Sequence, residues 1–218
     1  MRDAYHKELE SLDQGVVAMG AMVEKCVHLA TKAFVEDDKE LAGRVRAGDD
    51  EIDAVFMDIE KRCLALMAQQ APVAGDLRLV VAILGAIGEL ERTGDIAHNI
   101  AKLVQKEGSP YQGPETKRVR ALLAELGAAS AEVLAASIDA WAQKDEALAA
   151  GVERQDDRSD ELHDKVITAI LELKGEEAVA AAIRLAMIGR YFERIGDHAV
   201  NLAERVRYFV TGDAEYLG

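Results

Sequence analysis

Apolar residues recur along this chain in steps of three and four. Leu9, Leu12, Val16, Met19, Val23, Val27, Ala30 and Phe34 have the spacing that a helix of 3.6 residues per turn gathers onto one face, so the pattern predicts a first helix over about residues 4–35. A second stripe through Leu41, Val45, Ile52, Val55, Ile59 and Leu66 predicts a helix over about residues 37–69. Asp37 and Glu40 stand at capping-box spacing at its start, and Ala71-Pro72 ends it. A third stripe, Ile83, Ile87, Leu90, Gly94, Ala97, Ala101 and Val104, predicts a helix over about residues 76–106. Residues 108–114 then concentrate turn formers, including two of the three prolines. Beyond that joint the pattern predicts helices over about 115–143, 145–173 and 176–210, with Lys174-Gly175 as the turn between the last two. No stretch alternates with period two. The expected fold is all-α, built from six long antiparallel helices joined by short turns.

The two halves repeat. Phe34 matches Trp141, Asp38 matches Asp145, Val45 matches Val152, Asp49 matches Asp156 and Asp53 matches Asp160, all at an offset of 107 residues. After the Pro72 turn the offset becomes 102: Glu91 matches Glu193, Asp95 matches Asp197 and Asn99 matches Asn201. A period near 100 residues within an all-helical pattern predicts two tandem three-helix bundles, residues 1–108 and 114–211.

Charge narrows the chemistry. The net charge is −14, which argues against a surface for nucleic-acid phosphates or anionic lipid and points to proteins or metal ions as partners. Cys26 and Cys63 lie among apolar residues with no C-x-x-C spacing and are expected as buried thiols. The clearest apolar run, 79–88, is far short of a membrane span, and the first residues do not resemble a signal peptide. The expected location is the cytoplasm, with membrane contact only through a partner. There is no Gly-rich phosphate loop and no G-x-S-x-G elbow, so an independent enzyme is not expected.

What stands out chemically is a set of paired acids. Glu91 and Asp95 are one helical turn apart, as are Glu193 and Asp197, Asp49 and Asp53, and Asp156 and Asp160. Residues at i and i+4 share a helix face, and each pair flanks its core stripe. If the flanks of adjacent helices share a groove, each half gathers four carboxylates. Such a cluster needs a cation, a proton or a basic neighbour such as Arg92 or Arg194. All-oxygen ligation suits a hard divalent ion, Mg, Mn or Ca, with Fe also admissible. Gly94 and Gly196, inside helices beside the acids, suggest close approach of another helix. Asp95-x-x-His98 and Asp160-x-x-His163 resemble the acid-x-x-His ligand pairs of di-iron bundles. Neither histidine is part of the repeat, since Val200 and Phe56 hold the matching positions, and His198 is read as auxiliary in the same way. A carboxylate-bridged di-metal oxidase or metal-storage bundle is therefore an alternative.

Glu91-Arg92-Thr93-Gly94-Asp95 with Asn99, and Glu193-Arg194-Ile195-Gly196-Asp197-His198 with Asn201-Leu202-Ala203-Glu204, resemble the paired E-R-x-G-D signatures of the PhoU family. Asp76-Leu77-Arg78 ahead of the first copy fits as well, and the likeness extends over nearly the whole chain. The resemblance implies a cytoplasmic accessory regulator of phosphate uptake that restrains the phosphate-starvation response. Such a protein connects the ATP-binding subunit of a phosphate ABC transporter with the sensor histidine kinase of a two-component system, commonly as a homodimer. It also implies binding of divalent metal (Mg, Mn, Fe, Ca or Zn) by the acid motifs. That role carries onto Glu91, Asp95, Glu193 and Asp197, and onto the second pairs Asp49, Asp53, Asp156 and Asp160.

Overall fold

The computed structural model describes residues 2–107, 114–175 and 177–217. Seven α-helices form its frame: α1 (Arg2–Glu36), α2 (Lys39–Ala47), α3 (Asp49–Gln70), α4 (Ala74–Glu107), α5 (Lys117–Gln143), α6 (Glu146–Leu171) and α7 (Ala178–Thr211). Short 3-10 turns cover Pro114–Thr116 and Ala214–Leu217. The described residues contain no strand. Residues 108–113 of the expected joint, and Glu176 at the expected start of the last helix, lie outside the described residues.

The expected second helix is two helices. Gly48 caps α2, its N–H donating to the Arg44 and Val45 carbonyls, and α3 starts at the next residue. Asp49, Asp50 and Glu51 occupy the first turn of α3, where the positive end of the helix dipole favours acids. A chain that puts three acids in succession after a glycine thus restarts its helix there. The matching residues of the second half lie within the unbroken α6.

Caps show the repeat at atomic detail. Asp38, not Asp37, caps α2, its carboxylate accepting from the Leu41 N–H at 2.8 Å. Asp37 instead takes the left-handed conformation that ends α1, at φ 56°. In the second half Lys144 ends α5 at φ 53°, and Asp145 caps α6 by accepting from the Ala147 and Leu148 N–H groups. Both corners are the same turn, displaced by 107 residues.

The register of the first helix of each half also holds. Leu12, Val16, Met19 and Val27 of α1 and their counterparts Val119, Leu123, Leu126 and Leu134 of α5 are all buried. One hydrophobic core runs through both halves, because α1 packs on α5 and α4 on α7 as well as each on its own bundle. Cross-contacts show that α1 and α5 run antiparallel. Asp13 of α1 accepts from the Trp141 indole N–H at 3.1 Å near the far end of α5, whereas Val35 accepts from Arg120 near its start. Phe34 of α1 and Phe192 of α7 meet edge to face between the halves, a geometry that adds to their area burial. Cys26 and Cys63 are buried thiols, each pushed by burial up to about 11. By length and composition α5 is apolar enough to cross a membrane; its Val119, Leu123, Leu126, Leu134 and Ile138 are instead covered by the other helices.

Candidate functional site

The acids flank the core, as their spacing predicts. In α4, Leu90 and Ala97 are buried and Asp95 is exposed, with Glu91 half-buried between them. In α7, Phe192, Gly196 and Ala199 are buried, Glu193 is half-buried and Asp197 exposed. The helix packed alongside brings the second pair within electrostatic reach in each half.

In the first half Asp49, Asp53, Glu91 and Asp95 act on one another. Burial raises Asp49 above the usual carboxylate range, Asp95 and Asp53 push the same way, and His98 opposes them. His98 Nδ1 lies 2.8 Å from Asp49 Oδ2, outside good hydrogen-bond geometry. Glu91 is raised by burial and then by Asp95 and Asp53. In the second half Asp156, Asp160, Glu193 and Asp197 form the matching group. Asp156 is pushed up to about 6 by burial first, with Asp160, Asp197 and Glu193 adding to it and the Ser159 hydroxyl opposing. Glu193 is raised by burial and by Asp197.

The glycines differ in what they admit. A Cβ on Gly196 would run into the Asp156 carboxylate, so the carboxylate can lie this close to the α7 backbone only beside a glycine, and a larger residue there would have to displace it. A Cβ on Gly94 would stand 3.3 Å from Ile52 Cδ1. Ile52 and Ser159 are repeat counterparts, and the smaller serine lets Asp156 sink where its counterpart Asp49 stays nearer the surface. Asp156 is 8% exposed.

The charge balance of these clusters departs from expectation. Arg92 bonds Glu89 at 3.3 Å rather than Glu91, and the arginine that meets Glu193 is Arg190, not Arg194. Two buried oxygens, Asp156 Oδ1 and Glu193 Oε2, have no hydrogen-bond partner among the described residues. An all-oxygen donor set with orphaned buried oxygens fits a hard divalent cation in kind. As they stand, no three His, Cys, Asp or Glu side chains among the described residues converge as a metal cage, so holding an ion requires the exposed acids to turn inward. His163 does not join the second cluster through its ring nitrogens in the way His98 meets Asp49; its Cδ2 edge lies against Gly189.

One polar group of the core escaped the sequence pattern. Glu89, 5% exposed, reaches from α4 to His198 of α7, with Oε2 2.6 Å from Nδ1, and accepts from Asn201 at 3.3 Å. Burial alone would raise Glu89, but the hydrogen bonds from His198 and Asn201 and the charges of His198 and Arg92 outweigh it and hold it below its usual value. His198, read from the sequence as auxiliary, is thus part of the contact between the halves. The signal lay in α4 itself: Ala82, Ala86, Thr93 and Ile100 form a second buried stripe, and Glu89 sits within it.

Comparison with known proteins places this architecture. A family model described as the PhoU domain matches residues 16–104 and 123–206. Over 221 residues the chain is 33% identical to a Deinococcus radiodurans protein named phosphate-specific transport system accessory protein PhoU homolog, covering 99% of this chain and 100% of that one. It is 31% identical over 212 residues to PhoU homolog 2 of Mycobacterium tuberculosis, covering 97% of this chain and 99% of the relative. The crystal structure of PhoU from Pseudomonas aeruginosa superposes with a TM-score of 0.88 at 31% identity, over 96% of this chain and 100% of that one. Repeat, acid motifs and full-length similarity agree: the chain belongs to the PhoU family.

Proposed function

We propose that this protein is a cytoplasmic accessory regulator of phosphate uptake, which restrains the phosphate-starvation response when phosphate is plentiful. The observation that carries this reading is full-length similarity to proteins named phosphate-specific transport system accessory proteins. In this reading it acts as an adaptor between the ATP-binding subunit of a phosphate ABC transporter and a sensor histidine kinase, and works as a homodimer. The acid edges beside α3–α4 and α6–α7 are its docking surfaces, steadied by a divalent metal held among Asp49, Asp53, Glu91 and Asp95 and among Asp156, Asp160, Glu193 and Asp197. An adaptor needs no turnover, only different affinities for the states of its partners.

The di-metal oxidase alternative draws less support. Among the described residues, of the two acid-x-x-His sequences only the one at His98 meets an acid of the opposite helix through a ring nitrogen.

The test is co-purification from cells grown with ample phosphate and from starved cells. The reading expects the tagged chain to retain the transporter subunit and the kinase, with occupancy that changes with phosphate supply. Recovery of neither partner in either condition contradicts it.

A further inference from the structure

The first half contains a cleft that the adaptor reading does not use. It is a cavity of about 480 Å³ between α1 and the elbow where α2 meets α3, floored by Met22, Leu29, Val45 and Ile52. Lys25 and Arg44 stand on its rim together with one carboxylate, Glu51. The lining is thus net positive in a chain whose overall charge is −14. Lys25 is exposed and has no ion-pair partner among the described residues. Arg44 contacts Glu40 at 3.2 Å, but both side chains are largely exposed, and such a pair holds an arginine only weakly.

The repeat explains why the cleft opens here. At the offset of 107, Met22 and Leu29 correspond to Ala129 and Ala136, while Lys25 and Arg44 correspond to Glu132 and Gly151. The second half has neither the bulky spacers nor the cations, and its α6 runs unbroken past the position of the elbow. Volume, apolar floor and a few polar groups at the mouth are the attributes of a small-molecule site.

We propose that the cleft between α1 and the α2–α3 elbow binds a small amphipathic anion, its apolar body over Met22, Leu29, Val45 and Ile52 and its charged head between Lys25 and Arg44. An apolar chain gains by leaving water for this floor. The head group forms charge-assisted hydrogen bonds with Lys25 and Arg44 at the rim, and a cation of the same shape cannot form them.

The test is calorimetric titration of the full chain with decanoate below its micelle concentration, and with decylammonium as the matched cation. Saturable binding of one decanoate per chain is expected, with decylammonium at least tenfold weaker. In the double variant Lys25→Glu/Arg44→Glu, decanoate affinity should fall at least tenfold, as expected for losing charge-assisted bonds. Both residues are exposed, so the variant is expected to keep its fold, which a circular dichroism melt checks. No saturable binding, equal affinity for the two amphiphiles, binding of many molecules per chain, or an unchanged affinity in the variant overturns the proposal.

Discussion

Single residues decide how the two acid clusters differ. At position 196 a Cβ would displace the Asp156 carboxylate that lies against the backbone there. Gly196→Ala should therefore cost about 1–3 kcal/mol, as overpacking does. Gly94→Ala, which meets only the movable end of Ile52, should cost less. Denaturant unfolding of both variants measures the order, and Asp156→Ala combined with Gly196→Ala should recover part of the loss. Asp156 itself carries a pH signature. Its folded value of about 6 exceeds the unfolded value, so the folded state holds its proton more tightly. Stability from this group falls as pH rises from about 4 to 6 and stays low above that range. Asp156→Asn should leave the melting temperature unchanged near pH 4. At pH 8 it should raise stability by about 1 kcal/mol, allowing for solvent screening, or about 2–4 °C. A cation bound in the cluster would act in the same direction.

At the scale of elements, the apolar contact between α4 and α7 contains one buried polar pair, Glu89 and His198. Removing one partner of such a pair leaves the other uncompensated and costs about 3–5 kcal/mol. His198→Leu and Glu89→Leu should each show that loss in urea, and the double variant should lose less than the sum of the two. Because Glu89 is held below its usual value, its contribution is present above the unfolded carboxylate range. It is lost as pH falls through the folded value, so the wild type should be more acid-labile than the double variant. The order and approximate ends of the long helices were legible in the apolar stripes, since long amphipathic helices repeat their signal over many turns. The break at Gly48 was not. The apolar stripe runs on through Val45 and Ile52, and the restart depends on local capping by Asp49 and its neighbours. The cap is ambiguous in the sequence in a similar way: two adjacent acids offer one signal, and only the backbone distinguishes the left-handed Asp37 from the cap Asp38.

In the whole molecule the repeat is both the plan and the source of asymmetry. The matched acids could be paired from the sequence because their offsets are constant, and the structure brings the four acids of each half within electrostatic reach. Which arginine meets which acid was not legible, because arginine reaches several neighbours on a helix surface; Arg92 turns to Glu89 and Arg190 to Glu193. Glu89 was hidden for a related reason. A helix that packs on two neighbours has two buried faces, and the stripe through Ile83, Ile87 and Leu90 marks only one of them.

The central claim is that the acid edges are where partners dock. Its most direct measurement is binding of the purified sensor kinase and transporter ATP-binding subunit to the wild type and to the variant Glu91→Ala/Asp95→Ala/Glu193→Ala/Asp197→Ala, read together with a phosphate-regulated reporter in cells. The account predicts that the variant folds, binds at least one partner at least tenfold more weakly, about 1.4 kcal/mol, and leaves the reporter on when phosphate is ample. A folded variant that binds both partners as tightly as the wild type, with the reporter still repressed, would contradict it.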